Sequence, residues 1–340
     1  MITYQIINTL PEFDVLAGSW NALLDVRASH VPFLRHEYLM AWWQTLGGGE
    51  WSHAEIQIIL GTEDGRLIGI APFFLSDDRQ ADGRLWFMGS IEVSDYLDLL
   101  VRPEDVNRFC EGLLEYLPIS SLKSIGKLDL YNLLEDSPTI KAFTEAAMRT
   151  GWQTQDTILQ HSPYIPLQGD FEMYLAAIDK KQRHEIRRKL RRLDMAGISY
   201  QWYTTIKEEN LPGDIDTFLE LMSFDQKKAV FLTPLMRTHM QNVMRCAFQA
   251  DCLLLTFLEI EGKKVAGSLS FDYLDRLWLY NSGINPAYSD YSPGWIMLAE
   301  LIRWACEHHY RELDFMRGDE EYKYRFGAQD RFVKRLLLSR

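Results

Sequence analysis

The clearest alternation of apolar and polar positions lies in the second half of the chain. Gly267-Ser268-Leu269-Ser270-Phe271-Asp272-Tyr273 sets small or polar residues against apolar ones, the period of a half-buried strand. Leu274-Asp275-Arg276 interrupts the pattern and Leu277-Trp278-Leu279-Tyr280-Asn281 resumes it, which predicts a hairpin. Trp295, Leu298, Ala299, Ile302, Ala305 and Cys306 then recur at helical spacing and predict a helix with one apolar stripe. Ser292 is a candidate N-cap for that helix. Pro293 suits its first turn, where an N–H has no helical partner to lose. Leu313-Asp314-Phe315-Met316 predicts one more strand.

The first half repeats part of this grammar. Leu16–Leu24 and Tyr38–Leu46 predict helices. Ile56–Leu60, the turn Glu63-Asp64-Gly65-Arg66 and Leu67–Phe74 predict a hairpin. Leu254–Glu259, Glu261-Gly262-Lys263-Lys264 and Val265–Ser270 give the same order about 200 residues later: strand, acid-Gly-base turn, strand with an internal glycine. The extended segment Ser162-Pro163-Tyr164-Ile165-Pro166 marks a plausible boundary. Two similar α/β units are therefore expected, residues 1–162 and 163–340, with the donor site in the second.

Composition narrows the class. A chain of 340 residues with 47% hydrophobic and 25% charged residues is ordinary for a globular protein. The net charge of −12 argues against DNA as a partner. Cys110, Cys246, Cys252 and Cys306 show neither metal-ligand nor disulfide spacing, and no metal is expected. The N-terminus lacks the basic and long apolar regions of a signal peptide, and no apolar run is long enough to cross a membrane. The cytoplasm is the expected compartment.

Charge is concentrated in one place. Residues 180–192 hold eight Lys/Arg and one Glu, +7, which leaves −19 for the rest. Asp179 with Gln182 resembles a capping box, Ile186, Leu190 and Leu193 form an apolar seam, and Gly197 suits the helix end. Like charges at i,i+4, such as Arg183 with Arg187 and Arg188 with Arg192, destabilise an isolated helix. Two readings offset that cost: a solvated face bridged to acids elsewhere, or a phosphate-binding face. Arg183, Arg187 and Arg188 are the candidates for the second, and Ser292 and Gly294 are candidates for phosphate binding at a helix start.

The segment Arg317-Gly318-Asp319-Glu320-Glu321-Tyr322-Lys323-Tyr324-Arg325-Phe326-Gly327 mixes acids, bases and aromatics after a strand. Read as extended, it places Lys323 and Arg325 on one side and the aromatics on the other. A fixed cation there can stabilise an oxyanion or hold an acceptor's phosphate, and Asp319, Glu320 or Glu321 can take a proton. Asp95 and Asp98, beside the apolar run Leu97–Val101, either terminate a strand or line a groove between the two units.

These residues resemble the GNAT-like acetyltransferases of the CelD/BcsL type, which are similar in turn to the FemAB peptidyltransferases. The order hairpin, loop, helix, strand is that of the back half of a GNAT-type fold. Further matches are Trp20 with Leu23, Pro32-Phe33 before Trp42-Trp43, Gly69-Ile70-Ala71-Pro72, Ser94-Asp95-Tyr96-Leu97-Asp98, and the Arg183–Arg192 helix. The most specific is Gly318–Gly327, similar to the Phe-Lys-x-x-Phe-Gly of FemAB proteins, whose lysine faces the acceptor. GNAT enzymes usually carry a richer pyrophosphate loop, Gln/Arg-x-x-Gly-x-Gly/Ala, of which only Gly294 stands here.

The resemblance implies an α/β (α+β) tandem GNAT-like fold of FemAB type, two mixed sheets flanked by helices. It implies transfer of an acyl group, acetyl foremost, from acyl-CoA (acetyl-CoA) to an amine or hydroxyl of a sugar or cell-envelope or exopolysaccharide precursor. Lys323, Asp319 and Glu321 are the expected catalytic residues, and Arg325, Tyr322, Asp95, Tyr96 and Asp98 the expected acceptor contacts. Peripheral contact with membrane-bound synthesis machinery is an expected partnership. The rivals are an aminoacyl-tRNA-dependent transferase, the one case in which tRNA is a partner, and a silent binding module in a polysaccharide-synthesis assembly.

Overall fold

The computed structural model describes residues 1–79, 83–195 and 197–340. The chain forms two compact units, Met1–Gln160 with Phe332–Arg340, and His161–Arg331. Each is a mixed sheet flanked by helices.

The strands of the first unit are β1 (Thr3–Ile7), β2 (Glu55–Glu63), β3 (Arg66–Ser76), β4 (Arg84–Phe87), β5 (Leu100–Val101), β6 (Lys127–Leu134), β7 (Gln153–His161) and the C-terminal β14 (Phe332–Ser339). Their order is β1-β2-β3-β4-β6-β14-β7, with β5 also on β3. The β4–β6 pair is parallel. The helices are α1 (Leu10–Val15), α2 (Ala17–Leu24), α3 (His36–Gly49), α4 (Val106–Tyr116) and α5 (Pro138–Thr150). Trp42, Trp51, Phe74 and Trp86 fill the core with ring centroids 4.9–5.2 Å apart. Gly61 and Gly69 face each other across β2 and β3 because Phe109 of α4 lies on them. A Cβ at either position would come within 2.6 Å of that ring.

The second unit has β8 (Tyr164–Pro166), α6 (Phe171–Ala177), α7 (Lys180–Met195), β9 (Tyr200–Thr204), α8 (Leu211–Ser223), α9 (Gln226–Phe231) and α10 (Pro234–Gln249). The hairpin strands β10 (Leu253–Ile260), β11 (Lys263–Tyr273) and β12 (Arg276–Ile284) follow. Then come a 3-10 turn (Pro286–Tyr291), α11 (Pro293–Glu307), β13 (Glu312–Asp314) and α12 (Glu321–Arg325). The sheet order is β8-β13-β12-β11-β10-β9, and β12–β13 is parallel. The stripe of α11 packs with Ile186 and Leu190 of α7 in one apolar cluster. The side chain of Leu193, third member of the predicted seam, lies outside the described residues.

Three local expectations are corrected. The closing segment is not extended: Glu321–Arg325 is a short helix, so Tyr322 and Phe326 share a face and Lys323 points elsewhere. Ser292 does not cap α11 with its side chain, because its backbone is left-handed at φ +54°. The last nine residues join the first unit rather than the second half. There β14 pairs antiparallel with β6 from Val333↔Leu134 to Ser339↔Lys127, and Arg335 donates to Asp129 at 2.6 and 2.7 Å.

An inserted strand of this kind is an integral part of its sheet. Leu336 is fully buried opposite Leu130. Leu336→Ala should cost about 2–5 kcal/mol. Chemical denaturation measures it, and a loss well under 1 kcal/mol would show that β14 is not integral to the sheet.

Candidate active site

The hairpin β11–β12 carries a bulge: Leu269 faces Asn281, but Ser270 faces Leu279, which leaves Tyr280 extra. Parallel pairing of β12 with β13 covers only Arg276–Trp278. From Leu279 to Ile284 the strand runs on past the end of β13. Helix α11 returns over this stretch and leaves a cleft of about 270 Å³. Its sheet side is Ala266, Gly267, Ser268, Leu279, Ser282 and Ile284. Gly294, Trp295, Met297, Leu298 and Leu301 line it from α11, and Tyr322 and Phe326 close one side.

Gly294 sits at the first turn of α11. A Cβ there would meet Ile284 Cδ1 at 2.5 Å, so a larger residue would push the Ile284 side chain aside from the helix start. Phe326 is buried and packs on Trp295 at 4.8 Å between centroids. Tyr174 fixes it from behind by donating to the Phe326 carbonyl at 2.8 Å. Tyr322 stands edge-on to Phe315. Although 40% of Tyr322 stays open, its surroundings desolvate the phenol, and burial followed by the Glu320 charge holds it protonated well above the ordinary tyrosine range.

Lys323 is 3% exposed. Its ammonium donates to the carbonyls of Arg317 at 2.9 Å and Gly318 at 3.0 Å, and pairs with Glu320 at 2.8 Å. All three donor positions are thereby used on the turn that precedes it. Gly318, at φ +109°, allows that turn. Asp319 and Glu321 are exposed, and Glu321 accepts from Arg325 at 2.7 Å. The structure thus brings Tyr322 to the cleft, keeps Arg325 and Glu321 together on the surface, and gives Lys323 to the turn.

The basic helix α7 contacts α11 and the turn before it. Asp179 accepts from the backbone N–H groups of Lys181 and Gln182, as its position predicts. The three cations singled out from the sequence have protein partners. Arg183 donates to the carbonyls of Leu175 and Ala176, Arg187 to Glu172, and Arg188 to Glu185. The α7 cation that stacks on a cleft residue is instead Lys189, 4.0 Å above the Trp295 ring and 3.6 Å from Glu185. Burial pushes its ammonium below the ordinary lysine value. Glu185 opposes that shift, while Arg188 and Arg325 add to it.

A second missed cation is Lys228, whose ammonium donates to the Ser282 carbonyl at 2.5 Å. Burial lowers its pKa, against Asp225 and Glu320, which raise it. Neither carried a distinguishing signal in the sequence: Lys228 is one of two adjacent lysines in the short helix α9, and Lys189 is one of eight cations within residues 180–192.

In the first unit Tyr96 is fully buried and Asp98 is 2% exposed. Asp98 accepts from the hydroxyls of Ser29, Ser137 and Thr139 and from the Leu99 N–H, which ties loop and α5 together. Neither presents a surface to an acceptor, which corrects their assignment as contacts; Asp95 keeps partial exposure. Among the described residues no group of three or more His, Cys, Asp or Glu is placed to hold a metal.

Residues 180–324 match the model of a family described as an acetyltransferase (GNAT) domain. No curated protein matches. Among solved structures the chain is similar to FemX, at 11% identity and TM-score 0.69 over 94% of this chain and 95% of that one. It is also similar to L-PGS from Bacillus licheniformis, at 12% identity and TM-score 0.55 over 95% and 91%. A tandem GNAT protein from the clavulanic acid biosynthesis pathway matches at 11% identity and TM-score 0.50 over 98% of both chains. The fold is therefore a tandem GNAT-like one, and the chain is an acyltransferase of GNAT type.

Lys323→Ala should cost roughly 2–3 kcal/mol of stability, since it removes charge-assisted bonds to two carbonyls and a carboxylate of that turn. Denaturant titration measures this. An unchanged midpoint would show that the ammonium does not hold the turn.

Proposed function

We propose that this acyltransferase moves an acyl group, acetyl foremost, from an acyl-CoA to an amine or hydroxyl of a sugar or cell-envelope precursor, as in the CelD/BcsL-type proteins it resembles. The observation that carries the reading is the cleft between β12 and α11, which begins at Gly294 and Trp295 with Lys189 above them. Its fit to the donor rests on two features. The absent side chain of Gly294 brings the helix start to the cleft edge, where the positive end of the helix dipole favours phosphate. The apolar lining, Leu279, Met297, Leu298 and Leu301, suits a slender chain rather than a charged one.

Arg188 and Arg325 work against the charge of Lys189, and a phosphate beside it relieves that repulsion. The ion pairs of Arg187 and Arg188 lie on the surface, where such pairs contribute ~0–1 kcal/mol, so phosphate can displace them. Arg183, Arg187, Arg188 and Lys189 thus form the proposed donor-phosphate face, with Gly294 and the Ser292 backbone at the helix start.

The transfer runs by direct attack within a ternary complex. The acceptor's lone pair attacks the acyl carbonyl carbon, the carbon–sulfur bond breaks, and the sulfur leaves as thiolate. Asp319 or Glu321 takes the acceptor's proton, and the Tyr322 phenol, held protonated at the cleft, can donate a hydrogen bond to the leaving sulfur. Lys323 acts as a positioning residue that fixes the Arg317–Glu320 turn, and Arg325 and Asp95 are the proposed acceptor contacts. An acyl-CoA donor places the reaction in the cytoplasm, with exopolysaccharide synthesis at the membrane as the pathway class.

Calorimetric titration with acetyl-CoA and longer acyl-CoAs, at low and moderate salt, tests the donor. Micromolar binding is expected, weakened about tenfold or more by Lys189→Glu and by neutralising Arg187 and Arg188 together. Failure to bind any acyl-CoA, with salt-sensitive tRNA binding, would transfer the assignment to an aminoacyl-tRNA donor.

A further inference from the structure

Beyond Trp278, β12 is paired on one side only. The N–H of Asn285 donates to the Val265 carbonyl at 2.8 Å, and bonded positions alternate along an antiparallel pair. Gly283 and Asn281 therefore aim their backbone groups at β11. Ser282 and Ile284 aim theirs the other way, into the gap where β13 has ended. Two side chains meet Ser282 there. Asn281 Oδ1 accepts from its N–H at 2.9 Å, and the Lys228 ammonium donates to its carbonyl at 2.5 Å. Lys228 thus stands at the open edge of β12, on a residue that lines the cleft.

This lysine arrives from the sheet face opposite α11. Ser282 and Ile284 line the cleft together with α11, so their side chains face that helix. Gly283, between them, faces α8: a Cβ there would collide with the backbone of Leu221 and Met222. Helix α9, which carries Lys228, follows α8 and packs on it. The proposed donor phosphates lie on the α11 face, at Gly294 and Lys189. The gap beside β12 joins the two faces, so an acceptor reaches the donor from the α8 side, past Lys228.

The charge of Lys228 is poorly compensated. Its half-buried ammonium makes one hydrogen bond, to a neutral carbonyl, and no ion pair among the described residues. The two acids whose charge it feels are engaged elsewhere. Asp225 accepts from the N–H groups of Lys227 and Lys228, and Glu320 pairs with Lys323 at 2.8 Å. An ammonium has three donor positions, so two remain for a ligand. A partly desolvated cation gains most from an anion. We infer that the acceptor carries an acidic group, phosphate or carboxylate, which Lys228 binds at the open edge of β12. The inference rests on the acyl-CoA reading and narrows its acceptor to an acidic sugar derivative. Lys228 holds the acidic group while the amine or hydroxyl of the same molecule attacks.

Transfer from acetyl-CoA to glucosamine, glucosamine 6-phosphate and muramic acid by the full-length protein tests this. The second and third add a phosphate and a carboxylate to the first. The wild type should prefer one acidic sugar over glucosamine by at least about tenfold in kcat/KM, and the sugar it prefers tells phosphate from carboxylate. Lys228→Gln keeps an N–H donor for the Ser282 carbonyl and removes the charge. It should bring the ratio towards one through the acceptor's KM, whereas Lys228→Arg should retain a preference. Equal use of all three sugars by the wild type overturns the inference while leaving the acyltransferase reading intact. An equal loss on all three in Lys228→Gln also overturns it, since the lysine would then only hold the strand edge. So does binding of acetyl-CoA without transfer to any of the three. Failure to bind any acyl-CoA overturns both.

Discussion

The second unit depends on how little of β12 is paired on one side. Its pairing with β11 runs from Arg276 to Ile284, whereas the parallel pairing with β13 ends at Trp278. A continuous sheet has no room between strands only 4.7–4.9 Å apart. Stopping β13 at Asp314 frees the far end of β12, and the bulge at Tyr280 turns the strand where it separates. Asp314 helps to enforce the stop. It is fully buried, pairs with Arg331, and accepts from the N–H of Met316, so the chain turns away at once. The cleft wall from Leu279 to Ile284 and the α11 residues that face it take their places from that divergence.

The turn after β13 sets the cleft's other wall. A buried ammonium is costly without partners, and Lys323 has two carbonyls and a carboxylate. That makes its removal expensive wherever the chemistry occurs. Loss of activity on substituting Lys323 would therefore not distinguish a reacting group from a tie. Tyr322 and Phe326, one turn apart, reach the cleft because Lys323 faces the opposite way.

What was legible in the sequence was local. The hairpin β11–β12 and the helix α11 appear where alternation and the 3.6-residue stripe place them, because one face of each is buried and the pattern records it. The α7 cap at Asp179 was equally plain. Readings failed where a distant partner decides. Tyr322–Phe326 suits a strand as well as a helix by alternation alone, and the ties of Lys323 and Phe326 settle the matter. Leu336 reads as apolar, but nothing nearby says that its neighbour is Leu130, 206 residues earlier. Asp98 looks like a surface acid because the three hydroxyls that enclose it come from Ser29, Ser137 and Thr139. Lys189 differs from its seven cationic neighbours through Trp295, more than a hundred residues on.

The basic helix is best understood through the strength of its pairings rather than their number. Arg187 with Glu172 and Arg188 with Glu185 are surface contacts, screened and held by long side chains, and add little to stability. Lys189 is different. Its ammonium is half-buried on an aromatic face, and burial already works against its charge. A protein with net charge −12 has acids enough to neutralise this helix elsewhere, yet among the described residues Lys189 pairs with Glu185 alone, shared with Arg188. Partial neutralisation of that kind holds the free helix together and leaves a surplus of positive charge at the mouth. An anion arriving there gains from every cation at once, without first breaking a strong pair.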